Sequence, residues 1–305
     1  MYLTYLLQLI KLTRAHIGIA VLPSFFLGTL FALILGYELN PAIFLVGFII
    51  IFLLYAAASY ANDYYDFEAD KHNQQFGFSG GSGVLQKYPE LKNIAKWGAI
   101  TMLISSLLLT TILASITYIP IWSIGFIGIG IFFTWYYSAP PIKLVYRGFG
   151  EVPHFIAGMM NAIWGYILVT GSLDLSILIL SIPLALYLFN IIIIFEIPDV
   201  EADIHGKKTN FIVKHGRPTG FLLISLIFWL TTAYYFALAF SRVMNIKINF
   251  FLIAVISLIP GVYSLYVFIS NTQEKTQATK YAIKTSLTIF GISIFLLIYF
   301  IVLAL

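Results

Sequence analysis

Cysteine is absent from this 305-residue chain, which excludes disulfides, thiolate metal sites and cysteine nucleophiles. Charge is scarce as well: Asp, Glu, Lys and Arg together make up 10% of the residues. With 60% hydrophobic residues and a mean hydropathy of +0.94, the chain lies outside the usual composition of soluble globular domains. The small formal net charge of +4 needs no nucleic-acid partner, because basic residues collect on the cytoplasmic side of membrane proteins.

What is present in quantity is apolar sequence in runs of about 20 residues, the length that carries a helix across ~30 Å of hydrocarbon. Such runs fall at 17–36, 41–62, 94–116, 119–138, 152–170, 175–198, 218–240, 248–270 and 282–305. The expected fold is an all-α integral membrane protein with nine transmembrane helices, forming a single domain over residues 1–305. The opening MYLTYLLQLIKLTRAH carries its bases after its apolar stretch and has no small-residue cleavage site, so it reads as an interfacial helix rather than a signal peptide. The longest stretch outside the spans is about thirty residues and holds the glycine-rich turn Gly77, Gly80, Gly81 and Gly83, too short to form a second domain.

Nine spans put the N-terminus and the segments 63–93, 139–151, 199–217 and 271–281 on one side. Of the 17 Lys and Arg residues, only Arg242 and Lys247 fall opposite, so that side is expected to be cytoplasmic in a multi-pass cell-membrane protein. The acids segregate the same way, with only Glu38 and Asp174 on the far side. Both NDYYDFEAD (62–70) and PDVEAD (198–203) therefore face one compartment at the ends of spans two and six.

On a helix, residues four apart share a face, which makes Asn62, Asp66 and Asp70 one stripe and Asp199 and Asp203 another. Glu68 and Glu201 fall off these stripes. The stripes offer oxygen ligands without His or Cys, the donor set that suits Mg²⁺ completed by substrate phosphates. Facing acids at a water-poor membrane edge repel unless cations lie between them, so the duplication reads as two metal positions holding one polyanion. Lys71, Lys143, Arg147, Lys207 and Lys208 are placed to grip the oxygens the metals leave free, and a diphosphate is the simplest such ligand. The 27 Phe and 20 Tyr supply π faces for an allylic carbocation kept from water.

Other readings stand beside this one. A single DxxxD at a boundary is commonly a solvated helix cap. A cation-coupled transporter would use acids as an ion path, but here they collect at one mouth. A membrane scaffold leaves the duplicated stripes unexplained.

The motifs resemble those of the UbiA superfamily of intramembrane aromatic prenyltransferases. NDYYDFEAD resembles its NDxxDxxxD, DVEAD its second DxxxD, and YSAPPIKLVYRGFGE (137–151) the Tyr-Ser-x-Pro-Pro segment after its fourth span. The resemblance implies nine helices around a central cavity, two Mg²⁺ ions and a prenyl diphosphate donor. It makes Asn62, Asp66, Asp70, Asp199 and Asp203 the metal and diphosphate ligands, the four aspartates among them catalytic, and Asp63 a weaker candidate. Arg14, Lys143 and Arg147, with Lys71 and Lys207, become diphosphate contacts, and Glu196 is the candidate proton acceptor. The acceptor would be aromatic and the product a membrane lipid. Members acting on 4-hydroxybenzoate or geranylgeranylglyceryl phosphate commonly follow the first motif with an Arg-Pro-rich stretch. Here KHNQQFGFSGGSGVLQK has neither, and with GFGEVPHFIAG it is more similar to the menaquinone branch, whose acceptor is a dihydroxynaphthoate.

Overall fold

The computed structural model describes residues 2–71, 78–241 and 247–305, and their regular secondary structure is helical. In chain order the helices are α1 (Tyr2–Leu12), α2 (Ala15–Val21), α3 (Pro23–Ile34), α4 (Pro41–Tyr65), α5 (Phe67–Asp70), α6 (Val84–Lys87) and α7 (Lys92–Ile116). They continue with α8 (Ser123–Tyr136), α9 (Glu151–Thr170), α10 (Leu175–His205), α11 (Phe211–Phe240), α12 (Phe250–Ile269) and α13 (Lys275–Ala304).

Seven of these, counting α7 with the 3₁₀ turn that begins it at Pro89, are long and apolar enough to cross a membrane. The expected spans 17–36 and 119–138 correspond to shorter apolar helices. One is α3, of 12 residues, separated from α2 at Pro23, which has no N–H to continue the ladder. The other is α8, of 14 residues, or about 21 Å at ~1.5 Å per residue. The helix starts follow side-chain chemistry: Asn40 accepts from the amides of Ala42 and Ile43 ahead of Pro41, Asn210 from Val213, and Asn249 from Leu252.

The chain divides into two compact units. The first comprises Met1–Ile19, Asn40–Pro153 and Asp199–Val213. Within it α4 packs on α7 and α8, and α1 on α4 and α6. The Tyr60 hydroxyl donates to the Leu9 carbonyl at 2.7 Å, tying α1 to α4, and the Tyr60 ring lies against Gly98 of α7. On α1, Leu6, Leu7 and Ile10 are exposed, the apolar side an interfacial helix turns to lipid. Leu108, Ile112 and Ile116 form a similar exposed stripe along α7.

The second unit comprises Ala20–Leu39, His154–Pro198 and Lys214–Leu305. Its helices approach through small residues, as membrane helices do where no hydrophobic force draws them together. Gly28 of α3 lies on the Ala162 backbone of α9, Gly165 of α9 lies on the Phe25 carbonyl of α3, and the Thr29 hydroxyl sits 3.2 Å from the Gly165 carbonyl. Farther along, α13 packs on α3 and α12, and Gly158 of α9 lies against the Ala185 backbone of α10. A Cβ at Gly28 has nowhere to go, because what it meets is backbone. Gly28→Ala is therefore expected to destabilise the folded protein by about 1–3 kcal/mol, read as a lowered thermal midpoint in detergent; an unchanged midpoint contradicts this packing.

Candidate active site

The first acidic motif lies at the end of α4, where the helix breaks at Asp66 (φ −89°, ψ 5°) and resumes as α5. The break does not lose the stripe. The Asp66 amide bonds the Asn62 carbonyl at 2.8 Å and the Asp70 amide bonds the Asp66 carbonyl at 2.8 Å, so the four-residue register runs through it. The second motif forms the last turns of α10, which continues past the expected end of span six at 198, so Asp199 and Asp203 lie four apart on one helix.

The first unit brings the two motifs together. Gly206, at the end of α10, lies against Ala69 of α5, where a Cβ would stand 2.6 Å from the alanine methyl. Lys208 then links the stripes, its Nζ 2.8 Å from Asp66 Oδ2 and 3.4 Å from Asp203 Oδ1. Asp199 accepts from the Ser79 hydroxyl at 2.8 Å, which anchors the segment following the first motif to the second.

Each carboxylate has its own partners. Asp66 is fully buried and also accepts from the Tyr146 hydroxyl at 2.6 Å and from Asn62 Nδ2 at 3.0 Å. Asn62 Nδ2 reaches Ser138 as well, at 3.1 Å. Asp203 accepts from Asn210 Nδ2 at 2.7 Å, so Asn210 both caps α11 and fixes the second motif. Asp63, off the helical stripe, is also buried; it pairs with Arg14 and accepts from the Ser82 hydroxyl and amide. Asp70 lies against Gly81, where any Cβ would collide with its carboxylate.

The electrostatics follow from burial. Burial above all pushes the Asp70 carboxyl up to about 7, with Lys208 pulling it back and Asp66 pushing it higher. Burial works against the charge on Lys208, yet Asp66, Asp203 and Asp70 together hold its pKa well above the usual lysine range. Arg14 is likewise raised, Asp63 offsetting the burial. The Tyr146 phenol is pushed up by burial and by Asp66, so it remains a donor.

Among the described residues, no group of three or more His, Asp or Glu side chains is arranged to hold a metal ion; Lys208 stands where the motifs meet. The donor set nonetheless fits a hard divalent cation. Asp63, Asp66, Asp70, Asp199 and Asp203 are all buried, and among the described residues only Arg14 and Lys208 form ion pairs with them. Crowded buried carboxylates, one of them held up near neutrality by burial and by its neighbours, present oxygens alone, and a divalent cation is what relieves such a cluster.

The basic residues separate on their positions. Arg14 has a left-handed backbone (φ 49°) and donates to Asn62 Oδ1 at 3.0 Å as well as to Asp63. Lys143 is half-buried, 5.1 Å above the Tyr146 ring. Arg147 is exposed and bonds the Pro141 carbonyl at 2.9 Å. Lys71 is exposed and pairs with Glu68 rather than with the buried carboxylates. Lys207 is exposed too, and the geometry of the helix end explains why. The Lys208 amide bonds the Asp203 carbonyl and the Lys207 amide the Ile204 carbonyl, a cap that puts Lys207 in the left-handed region (φ 58°) and turns Lys208 inward. Glu196 is buried one turn before Asp199 on α10. Gly80 and Gly83 take positive φ (67° and 70°), whereas Gly77, like Arg242, lies outside the described residues.

Ser79, Ser82, Ser138, Tyr146 and Asn210 were not legible as site residues. For Asn210 a signal existed, a capping residue just before an apolar helix; Ser138 and Tyr146 lie within the 137–151 segment and Ser79 and Ser82 within the glycine-rich one, but helical spacing singled out none of the four.

Comparison with known proteins agrees with this architecture. The sequence model of the UbiA prenyltransferase family matches residues 21–290. The chain is 24% identical over 220 residues to the 1,4-dihydroxy-2-naphthoate octaprenyltransferase of Bacillus subtilis, covering 72% of this chain and 69% of that protein. Its fold matches a UbiA homologue from Archaeoglobus fulgidus bound to DMAPP and Mg²⁺, with a TM-score of 0.64 at 15% identity over 95% of this chain and 99% of the other. It also matches a digeranylgeranylglyceryl phosphate synthase, with a TM-score of 0.65 at 19% identity over 98% of each chain. The chain belongs to the UbiA prenyltransferase family and is an integral membrane transferase.

Proposed function

We propose that this protein transfers a prenyl group from a prenyl diphosphate to a dihydroxynaphthoate within the membrane. One observation carries the reading: two acidic stripes more than a hundred residues apart bring four buried carboxylates together around Lys208, with Asp63 and Arg14 paired beside them. Nine membrane passages follow if α2 with α3, and α8, are counted beside the seven longer helices. The distribution of Lys and Arg supports a site facing the cytoplasm.

Asn62, Asp66, Asp70, Asp199 and Asp203 would hold two Mg²⁺ ions, which when bound neutralise the diphosphate as it departs. Asp63 orients Arg14, whose guanidinium, together with Lys208 and Lys143, offers donors to phosphate oxygens. Ser79, Tyr146 and Asn210 fix the carboxylates they touch. At the acceptor, the bond between the prenyl carbon and the diphosphate oxygen breaks and a carbon–carbon bond forms at the ring carbon bearing the carboxylate. Carbon dioxide leaves, and its electron pair restores the aromatic ring.

The acceptor rests on two supports: the loop after the first motif lacks Arg and Pro, and the Bacillus subtilis relative is named for a dihydroxynaphthoate. Purified protein supplied with one prenyl diphosphate and, in parallel, a dihydroxynaphthoate, 4-hydroxybenzoate and a glyceryl phosphate ether should prenylate the first fastest. It should release pyrophosphate only with Mg²⁺. Preference for the glyceryl phosphate would replace the acceptor and leave the donor site standing, whereas no pyrophosphate release with any acceptor would sink the whole reading.

A further inference from the structure

Three lysines crowd two aromatic rings beside the first acidic motif, all within the first unit. Lys92 Nζ lies 4.3 Å from the Phe67 ring centroid and 5.5 Å from that of Tyr64. Lys96 Nζ lies 5.6 Å from the same Tyr64 ring and 5.8 Å from Trp97, and Lys71 Nζ lies 4.9 Å from Phe67. Lys92 and Lys96 are four apart on α7, so like charges share one helix face, an arrangement that is unfavourable by itself. Lys71 pairs with Glu68, but among the described residues neither Lys92 nor Lys96 forms an ion pair with a carboxylate. Ring faces attract ammonium groups without cancelling their charge.

The surroundings of this cationic patch are apolar and open. Ile94 and Trp97 are exposed in the first turns of a helix long enough to span the membrane, and Trp favours the membrane–water boundary. Cations above and exposed apolar side chains beside them match a lipid with a charged head and acyl chains, rather than a soluble anion. Arg14 and Lys208, by contrast, lie against the buried carboxylates of the site.

We propose that Lys71, Lys92 and Lys96 bind the headgroup of an anionic phospholipid, with Trp97 and Ile94 against its chains. Tyr64 and Phe67, which the lysines cover, alternate along the chain with Asp63 and Asp66. A lipid seated there holds the turn that presents the first motif.

The test is native mass spectrometry of the full protein released from micelles containing equal amounts of phosphatidylglycerol and phosphatidylcholine. The wild type should retain phosphatidylglycerol preferentially. Lys92→Gln with Lys96→Gln should cut that retention by about tenfold or more, Lys96→Gln alone by less, and the double Arg variant should keep it. Equal retention of the two lipids, or unchanged retention in the double Gln variant with its thermal midpoint intact, would overturn the proposal. Inorganic phosphate and a short prenyl diphosphate serve as competitors, and neither should displace the lipid. Displacement by either would assign the lysines to free phosphate or to the donor, and would likewise overturn it.

Discussion

Asp66→Asn is expected to lower prenyl transfer by about a thousandfold or more while leaving the protein folded. Asp66 is the carboxylate on which the site converges, accepting from Lys208, Tyr146 and Asn62 with no exposure to solvent. Asparagine keeps the volume and can still accept from Tyr146, but it cannot offer a charged ligand to Mg²⁺. Removing one electrostatic contact at a reacting centre costs on the order of 10²–10³ in turnover, and a charged metal ligand should lie at or beyond the upper end. Packing between α4 and α7 is untouched, because Asp66 lies past the last residue of α4, and Lys208 keeps Asp203 as its carboxylate partner. Single-turnover assays beside a detergent thermal melt decide it. Wild-type turnover in this variant, with the same melt, would make the stripe a set of buried helix caps and remove the metal from the reading.

The second large effect concerns stability, and its size depends on Mg²⁺. Lys208 is 13% exposed and lies between Asp66 and Asp203. Lys208→Met removes the cation that pairs with both Asp66 and Asp203, and breaking a buried pair in this way typically costs about 3–5 kcal/mol. In EDTA the variant should therefore melt well below the wild type. A divalent cation supplies the missing charge, so adding Mg²⁺ should raise the variant's midpoint more than that of the wild type. If EDTA and Mg²⁺ leave the gap between the two proteins unchanged, no cation binds where the stripes meet.

The membrane class and the positions of the helices were legible because hydropathy acts locally: a run of about 20 apolar residues is stable as a helix in lipid wherever its neighbours lie. The ends were less legible. Proline at 23 divides the first expected span, and α10 runs on past the expected end of its span at 198, to His205. The helical period also placed Asn62, Asp66 and Asp70 on one face, and that face survived a break in the helix because the backbone bonds on either side kept their register.

The same period set Asp63 aside, and in the fold Asp63 is the residue that pairs with Arg14, 49 positions earlier. Lys207 and Lys208 are adjacent and chemically alike, so nothing in the sequence distinguishes them. A left-handed residue at the helix end turns one to solvent and the other onto Asp66. Tyr146 and Ser79 join the site from 80 and 120 residues away from the carboxylates they touch. By itself, then, the sequence determined that this protein crosses a membrane, that it carries two oxygen-rich stripes, and at what spacing, since these depend on composition and on the pitch of a helix. Only the tertiary structure decided which residues surround each carboxylate, because partners at that separation are chosen by how helices pack and by where each one ends.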